Sequence, residues 1–206
     1  MKQGYLKHIF IIVFVLISAY SKAQMQFVHF DADNGLPNNL TETIFQDSYG
    51  FIWVGTYSGL SKFDGYQFEN YTILDSVCPI PGNTIFEIFE DSDSVLWIAT
   101  NKGLAVYNRE LDCFEKFEEL RTSCISDIDE DKNGTIWVSA YTGLFKIDRK
   151  NRKIIKGYGE KNGLSSTFLS QFIIDTNGIM WLGTTDAGII RFDTKTENIQ
   201  LLSKKL

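Results

Sequence analysis

Read as apolar and polar positions, the chain writes one pattern four times. In the first copy, Glu42-Thr43-Ile44-Phe45-Gln46 reads as a short strand. Asp47-Ser48-Tyr49-Gly50 then has the chemistry of a tight turn, with a side chain that can accept backbone N–H groups ahead of it and a terminal glycine. Phe51–Thr56 follows, and its Ile52, Trp53 and Val54 are consecutive, so both faces of this strand are apolar. After a second turn at Tyr57-Ser58-Gly59 come two more short strands, 60–64 and 67–71, the last carrying charges such as Glu69. The same order recurs around Trp97, Trp137 and Trp181, spaced by 44, 40 and 44 residues from Trp53 onward. Each Trp has an Asp six residues before it (Asp47, Asp91, Asp131, Asp175) and a small residue two after it (Gly55, Ala99, Ser139, Gly183).

A period of about 40–45 residues with four strands per copy marks a β-propeller blade. A lone meander with one wet face would alternate throughout, whereas a blade packed between two neighbours needs a central strand apolar on both sides. The expected fold is all-β, with four-stranded antiparallel blades at about 41–74, 83–118, 124–158 and 168–203. The small residue after each Trp is expected near the crowded axis. Residues 26–30 (Gln26-Phe27-Val28-His29-Phe30) alternate like an extra outer strand whose own blade lies elsewhere. Because the fourth copy has its own outer strand at 198–202, residues 24–206 read as an incomplete part of a larger ring, a closed four-bladed ring being the alternative.

The N-terminus changes the picture of where this happens. Lys2 and Lys7 lead into an apolar run from Ile9 to Ile17, and Ser21-Lys22-Ala23 offers a cleavage site, so residues 1–23 read as a secretory signal peptide, with an uncleaved anchor as the rival. The run is short for a bilayer span. Cleavage takes three lysines from a net charge of −6 and leaves −9. An acidic surface repels phosphate backbones, which argues against nucleic-acid binding, and no polybasic patch serves an anionic membrane. Three cysteines in an oxidising compartment permit one disulfide. If one forms, Cys113 with Cys124 is the expected pair; otherwise Cys78, Cys113 and Cys124 are small apolar side chains.

Candidate chemistry is sparse. Asp131-Lys132-Asn133-Gly134 and Asp175-Thr176-Asn177-Gly178 faintly suggest calcium loops but lack further carboxylates at the required spacing, so turn formation is the expected role and no metal or cofactor is expected. Glu87, Glu90 and Asp91 are an acidic cluster that strand alternation and a turn explain better than a glycosidase pair. A Ser-His-Asp site would have to use His29. Lys102-Gly103 lacks the strand-to-helix setting of a phosphate loop. No catalytic residue is expected. Binding fits better: the loops between blades and the turns after the Trp strand should share one face and carry Asn38, Asn39, Tyr57, Asn101, Tyr141 and Asp186, with Lys102, Ser165, Ser166 and Thr185 beside them. Such amides, hydroxyls and aromatics suit a sugar or a peptide.

Taken together, Asn34-Gly35-Leu36-Pro37-Asn38-Asn39, Ile44-Phe45-Gln46-Asp47, Gly50-Phe51-Ile52-Trp53-Val54-Gly55-Thr56, Gly59-Leu60 and Phe63-Asp64-Gly65 resemble the two-component regulator propeller repeat. The resemblance covers 26–202. It implies a seven-bladed propeller, often one of two in tandem, in the periplasmic sensor of a hybrid two-component system. It also implies an oligosaccharide ligand, further blades and downstream signalling domains as partners, and compatibility with dimerisation. A histidine kinase is part of such relatives but has no counterpart in these 206 residues. Ser94 stands where the turn glycine is usual, and Asn108 where Asp64, Asp148 and Asp193 stand; both read as tolerated turn variants. Other function classes are a protein-interaction scaffold and a secreted propeller enzyme such as a lyase.

Overall fold

The computed structural model describes residues 27–202. The expected signal peptide at 1–23 lies outside the described residues. Residues 27–30 belong to a unit separate from 31–206 and have neither strand nor helix, with Phe27 and Val28 exposed. The expected outer strand at 26–30 is not formed over its described residues, 27–30, and Gln26 lies outside the described residues. Alternation specifies which face a strand would bury, but not the neighbouring ladder it needs.

Among the described residues, the second unit holds sixteen strands in four antiparallel meanders, each in simple chain order. The first blade is β1 (Thr41–Gln46), β2 (Ile52–Thr56), β3 (Gly59–Phe63) and β4 (Phe68–Tyr71). The second is β5 (Ile85–Glu90), β6 (Leu96–Thr100), β7 (Gly103–Asn108) and β8 (Cys113–Lys116). The third is β9 (Ile125–Glu130), β10 (Ile136–Ala140), β11 (Gly143–Asp148) and β12 (Lys153–Tyr158), and the fourth is β13 (Leu169–Ile174), β14 (Ile179–Thr184), β15 (Ile189–Asp193) and β16 (Ile199–Leu202). The inner strands β1, β5, β9 and β13 neighbour one another in that order, and no comparable packing joins β13 back to β1 among the described residues. The four blades are thus an arc of a propeller, not a closed ring.

Three apolar cores lie between consecutive blades rather than within any one sheet. Trp53 packs among Ile80, Ile85, Leu96, Ile98 and Tyr107 of the second blade and its approach, Trp97 among Ile125, Ile136 and Val138, and Trp137 among Leu169, Met180 and Phe192. The central strands confirm why both faces are apolar: β6 and β10 are buried at every residue. In β14 only Met180 and Leu182, which share the core with the third blade, are fully buried.

The Asp six residues before each Trp has a larger role than a turn. Asp47 accepts the Tyr49 and Phe51 N–H groups at 3.0 and 2.9 Å with one carboxylate oxygen and the Trp53 Nε1–H at 2.9 Å with the other. Asp91 and Asp131 hold Trp97 and Trp137 in the same way at 2.8 and 3.0 Å. A buried indole N–H needs a partner, and this one ties the turn to the strand that follows it. Ser94, in place of the turn glycine, is forced to φ +61°. In the third blade Gly143 has φ +132°, and a Cβ there would lie 2.2 Å from the Tyr158 carbonyl oxygen, so only glycine fits.

The disulfide differs from expectation: it joins Cys78 to Cys113, with Cα atoms 5.1 Å apart, and Cys124 is free and half-buried. Cys113 opens β8, whereas Cys124 lies beyond the other end of that strand and the helical turn Glu118–Leu120. Closeness in sequence across a strand is separation in space. The connection over 72–84 instead brings Cys78 alongside the first residue of β8.

Candidate functional site

The inner strands carry one irregularity at the same place in every blade. Thr41 and Thr43 pair with Thr56 and Gly55, leaving Glu42 as an extra residue. Phe86 is extra between Ile85 and Glu87, and Ser126 between Ile125 and Asp127. In the fourth blade, Ser170 and Gln171 together face the single Gly183. Such β-bulges re-aim side chains and are frequent beside binding sites. Here they turn polar and aromatic groups towards a shared groove of about 230 Å³, lined by Glu42, Phe86, Glu87, Ser126, Ser170 and Gln171, with Tyr141 at its side.

The small residues after each Trp let this surface form. A Cβ on Gly55 would meet Thr43 Cγ2 at 2.6 Å and Ile85 Cγ2 at 2.8 Å. Where a serine replaces glycine, its hydroxyl joins the network: Ser139 Oγ lies 2.9 Å from Ser126 Oγ and donates to the Ser170 carbonyl at 3.2 Å. Ser126 Oγ also donates to the Leu169 carbonyl at 2.9 Å, so the third and fourth inner strands are fixed together at the groove floor.

The carboxylates are perturbed by their setting. Burial pushes the Glu87 carboxyl up, partly offset by the Ile88 N–H. Burial pushes Asp127 up to about 7, against the Phe172 and Ile128 N–H groups and with the charges of Glu87 and Asp129 adding to the rise. Asp127 points into structure: it accepts the Phe172 N–H of the next blade at 2.7 Å and the Ile128 N–H at 2.9 Å. Glu42 faces solvent and hydrogen-bonds Tyr57, whose phenol is pushed up by that bond and by the nearby charge. The set offers carboxylates, an amide, hydroxyls and two aromatic rings. Among the described residues no group of three or more His, Cys, Asp or Glu side chains is arranged to hold a metal ion.

Of the loop residues singled out from the sequence, Tyr141 lines the groove, half-exposed with its ring against Phe168 at 6.3 Å. Tyr57 reaches it through Glu42. The turns and blade connections do share one face, because the first residue of each turn, such as Tyr57 or Tyr141, donates its N–H to the residue before an inner strand. Asn38 donates to Ser58 Oγ at 2.8 Å and accepts the Leu40 N–H, and Asn39 accepts the Ala32 N–H at 2.7 Å. Asn101 accepts the Thr84 N–H at 3.4 Å, and Ser166 accepts that of Phe168 at 3.0 Å. These four build loops. Lys102, Ser165, Thr185 and Asp186 are exposed on that face. Glu90 and Asp91, grouped with Glu87 by sequence, separate: Glu90 serves the seam with the first blade, Asp91 holds Trp97, and only Glu87 reaches the groove. The groove residues missed by the sequence reading share one signal, a polar or mismatched pair ten and eleven residues before each Trp.

The "Two component regulator propeller" family profile matches residues 35–58 and 79–102. Two solved structures from B. thetaiotaomicron are similar. The extracellular domain of BT4673, described as a one component system in one structure and a hybrid two component system in another, is 27% identical over 88% of this chain and 27% of its own, with a TM-score of 0.77. The extracellular domain of the hybrid two component system BT3049 is 27% identical over 85% of this chain and 26% of its own, with a TM-score of 0.76. This chain therefore spans about a quarter of those structures. Virginiamycin B lyase from Staphylococcus aureus, 17% identical with a TM-score of 0.62 over 84% of this chain and 57% of its own, shares the fold alone. No curated protein sequence matches.

Proposed function

We infer that this chain, which carries the repeats of the two-component regulator propeller family, is a ligand-sensing propeller segment of an extracytoplasmic two-component sensor and binds an oligosaccharide in the axial groove. The observation that carries the reading is the bulge repeated in all four inner strands, which spends regular pairing to present side chains at the axis. Phe86 and Tyr141 supply faces on which a sugar ring stacks. Glu42, Glu87, Ser126 and Gln171 supply acceptors and donors for its hydroxyls. The signal-peptide pattern at 1–23 supports a surface outside the cytoplasm, and no described helix is long and apolar enough to cross a membrane. The role is recognition rather than catalysis: Asp127 is committed to backbone N–H groups and Glu42 to the Tyr57 hydroxyl. Transmission of the signal falls to other parts of the sensor.

Isothermal calorimetry against a broad panel of plant and microbial oligosaccharides tests this. One glycan class should bind, and Tyr141→Ala and Glu87→Gln should each weaken it about tenfold, the loss of one stacking face or one charge-assisted hydrogen bond. A panel without a binder, or binding untouched by both substitutions, would sink the assignment.

A further inference from the structure

Charge is divided unequally between the strands of every blade. The inner strands β1, β5, β9 and β13 carry Glu42, Glu87, Glu90, Asp127, Asp129 and Glu130, and neither a lysine nor an arginine. The second strands, β2, β6, β10 and β14, carry no charged residue at all. Every strand lysine and arginine, from Lys62 on β3 to Arg191 on β15, lies on a third or fourth strand. The axial side of the blades is therefore acidic and the outer side holds the cations.

Some of these cations reach inward, but not to the groove. At the first seam, between the first and second blades, Arg109 in the turn after β7 pairs with Asp47 at 2.8 Å and with Glu90 at 2.7 Å. At the second seam Arg149 pairs with Glu130 at 2.5 Å. Both glutamates end their inner strands, at the opposite end from the bulge. Among the described residues, Glu42, Glu87, Asp127 and Asp129 form no ion pair. Their donors are neutral. Glu42 takes the Tyr57 hydroxyl, Asp127 the Phe172 and Ile128 N–H groups, and Asp129 the Glu130 N–H at 2.7 Å. Glu87 takes only the Ile88 N–H. The difference shows in their acidity. Burial raises Glu87, Asp127 and Asp129 with no cation to oppose it. Burial also works against Asp47, but the Trp53 and Arg109 side chains bring it down.

The aromatic lining has the same preference of sign. Phe86 and Tyr141 share the groove with Glu42 and Glu87, and the Phe168 ring holds Tyr141 edge-on at 72°. A ring face attracts a cation through its negative centre, and a carboxylate attracts it directly, more strongly where water is partly excluded. Lys102, Arg121 and Lys161 stand exposed in the turns and connections of this face, but none of them lines the groove. A sugar bearing only hydroxyls would bury Glu87 further without a counter-charge, which is unfavourable. A uronic acid or a sulfated sugar would add like charge to it.

We propose that the oligosaccharide sensed in this groove carries a protonated amine: an amino sugar whose nitrogen is unacylated, with its ammonium against Glu87 and its ring on Phe86 or Tyr141. The proposal rests on the ligand reading above and specifies the charge of that ligand.

Calorimetry on the full chain at neutral pH tests it, with oligosaccharides of glucosamine and of galactosamine, the same oligosaccharides after N-acetylation, and oligosaccharides of galacturonic acid. Acetylation removes the charge and keeps the ring. One of the amine forms should bind about tenfold or more tightly than its acetylated form, the difference shrinking as salt is raised, and the uronate should not bind. Glu87→Gln should weaken the amine form about tenfold and leave the acetylated form within about twofold, so that the preference disappears. Tyr141→Ala should weaken both forms alike, which separates the loss of a ring contact from the loss of a charge. Equal binding of amine and acetylated forms, a preference for the uronate, or a preference that survives Glu87→Gln overturns the proposal and leaves the sugar reading standing. Oligolysine competing as strongly as the amino sugar would show a basic peptide site and overturn it too. Silence from every sugar overturns both.

Discussion

Replacing Arg109 with alanine removes the pivot of the first seam, and the structure sets the size of the effect. The guanidinium spans Asp47, whose side chain is fully buried, and Glu90, whose side chain is 10% exposed, while itself only 20% exposed. Leaving a buried charge unpaired costs about 3–5 kcal/mol. Asp47 keeps the Trp53 Nε1–H and two backbone N–H groups, which hold part of its charge, so the electrostatic loss sits near about 2 kcal/mol. Loss of the stack on Tyr49, at 4.2 Å from the ring centre, adds about 0.5–1 kcal/mol. The expected total is about 3 kcal/mol, or a Tm lower by about 6–12 °C for a domain of this size. Urea titration followed by tryptophan fluorescence measures it as a fall in midpoint at unchanged slope. Arg109→Lys should fall between, because one ammonium cannot span both carboxylates. Arg121→Ala, which removes a 3.6 Å pair exposed on both sides, should cost less than about 0.5 kcal/mol. The pH dependence has a fixed sign. Burial raises the Asp47 carboxyl, but the Trp53, Arg109 and Phe51 bonds outweigh it and hold it below the usual range. Its contribution is therefore present above the carboxylate range of the unfolded chain and fades as pH falls through the folded value, so the gap between wild type and Arg109→Ala should narrow towards acid. A variant within about 0.5 kcal/mol of wild type at neutral pH, or a gap that does not change with pH, would refute the reasoning.

Four further outcomes follow. Asp127 carries a carboxyl raised to about 7, so its stabilising, protonated form is lost as pH rises from the unfolded carboxylate range through that value; Asp127→Asn should gain Tm relative to wild type between about pH 5 and 8, seen in thermal scans. Gly55→Ala should destabilise by about 1–3 kcal/mol in urea, because its Cβ would overlap Thr43 and Ile85. Peptide mapping without reduction should recover Cys78 joined to Cys113 and an alkylatable Cys124, and Cys113→Ser should cost about 3–4 kcal/mol for a bridge spanning 35 residues. Ser94→Gly should stabilise by up to about 1 kcal/mol by relieving φ +61°.

Much of the fold is legible along the chain. The Trp period, the doubly apolar central strand and the turn aspartates dictate four meanders, because each rests on contacts within a few residues or on an apolar face that must be covered. The sequence alone also brings the turns and blade connections to one face. What it could not supply were relations between blades. The Cys78–Cys113 bridge, the Arg109 latch and the groove all join residues from different repeats, and no local pattern states how far apart those are in space. The bulges are the sharpest case. One extra residue at Glu42, Phe86, Ser126 and Ser170–Gln171 shifts the side chains out of the alternation that a two-residue period predicts; the mismatched pair before each Trp marks the place, but the pairing with the neighbouring strand shows where those side chains go. Local physics thus sets each blade, and the convergence of inner strands around the axis sets what the blades present together.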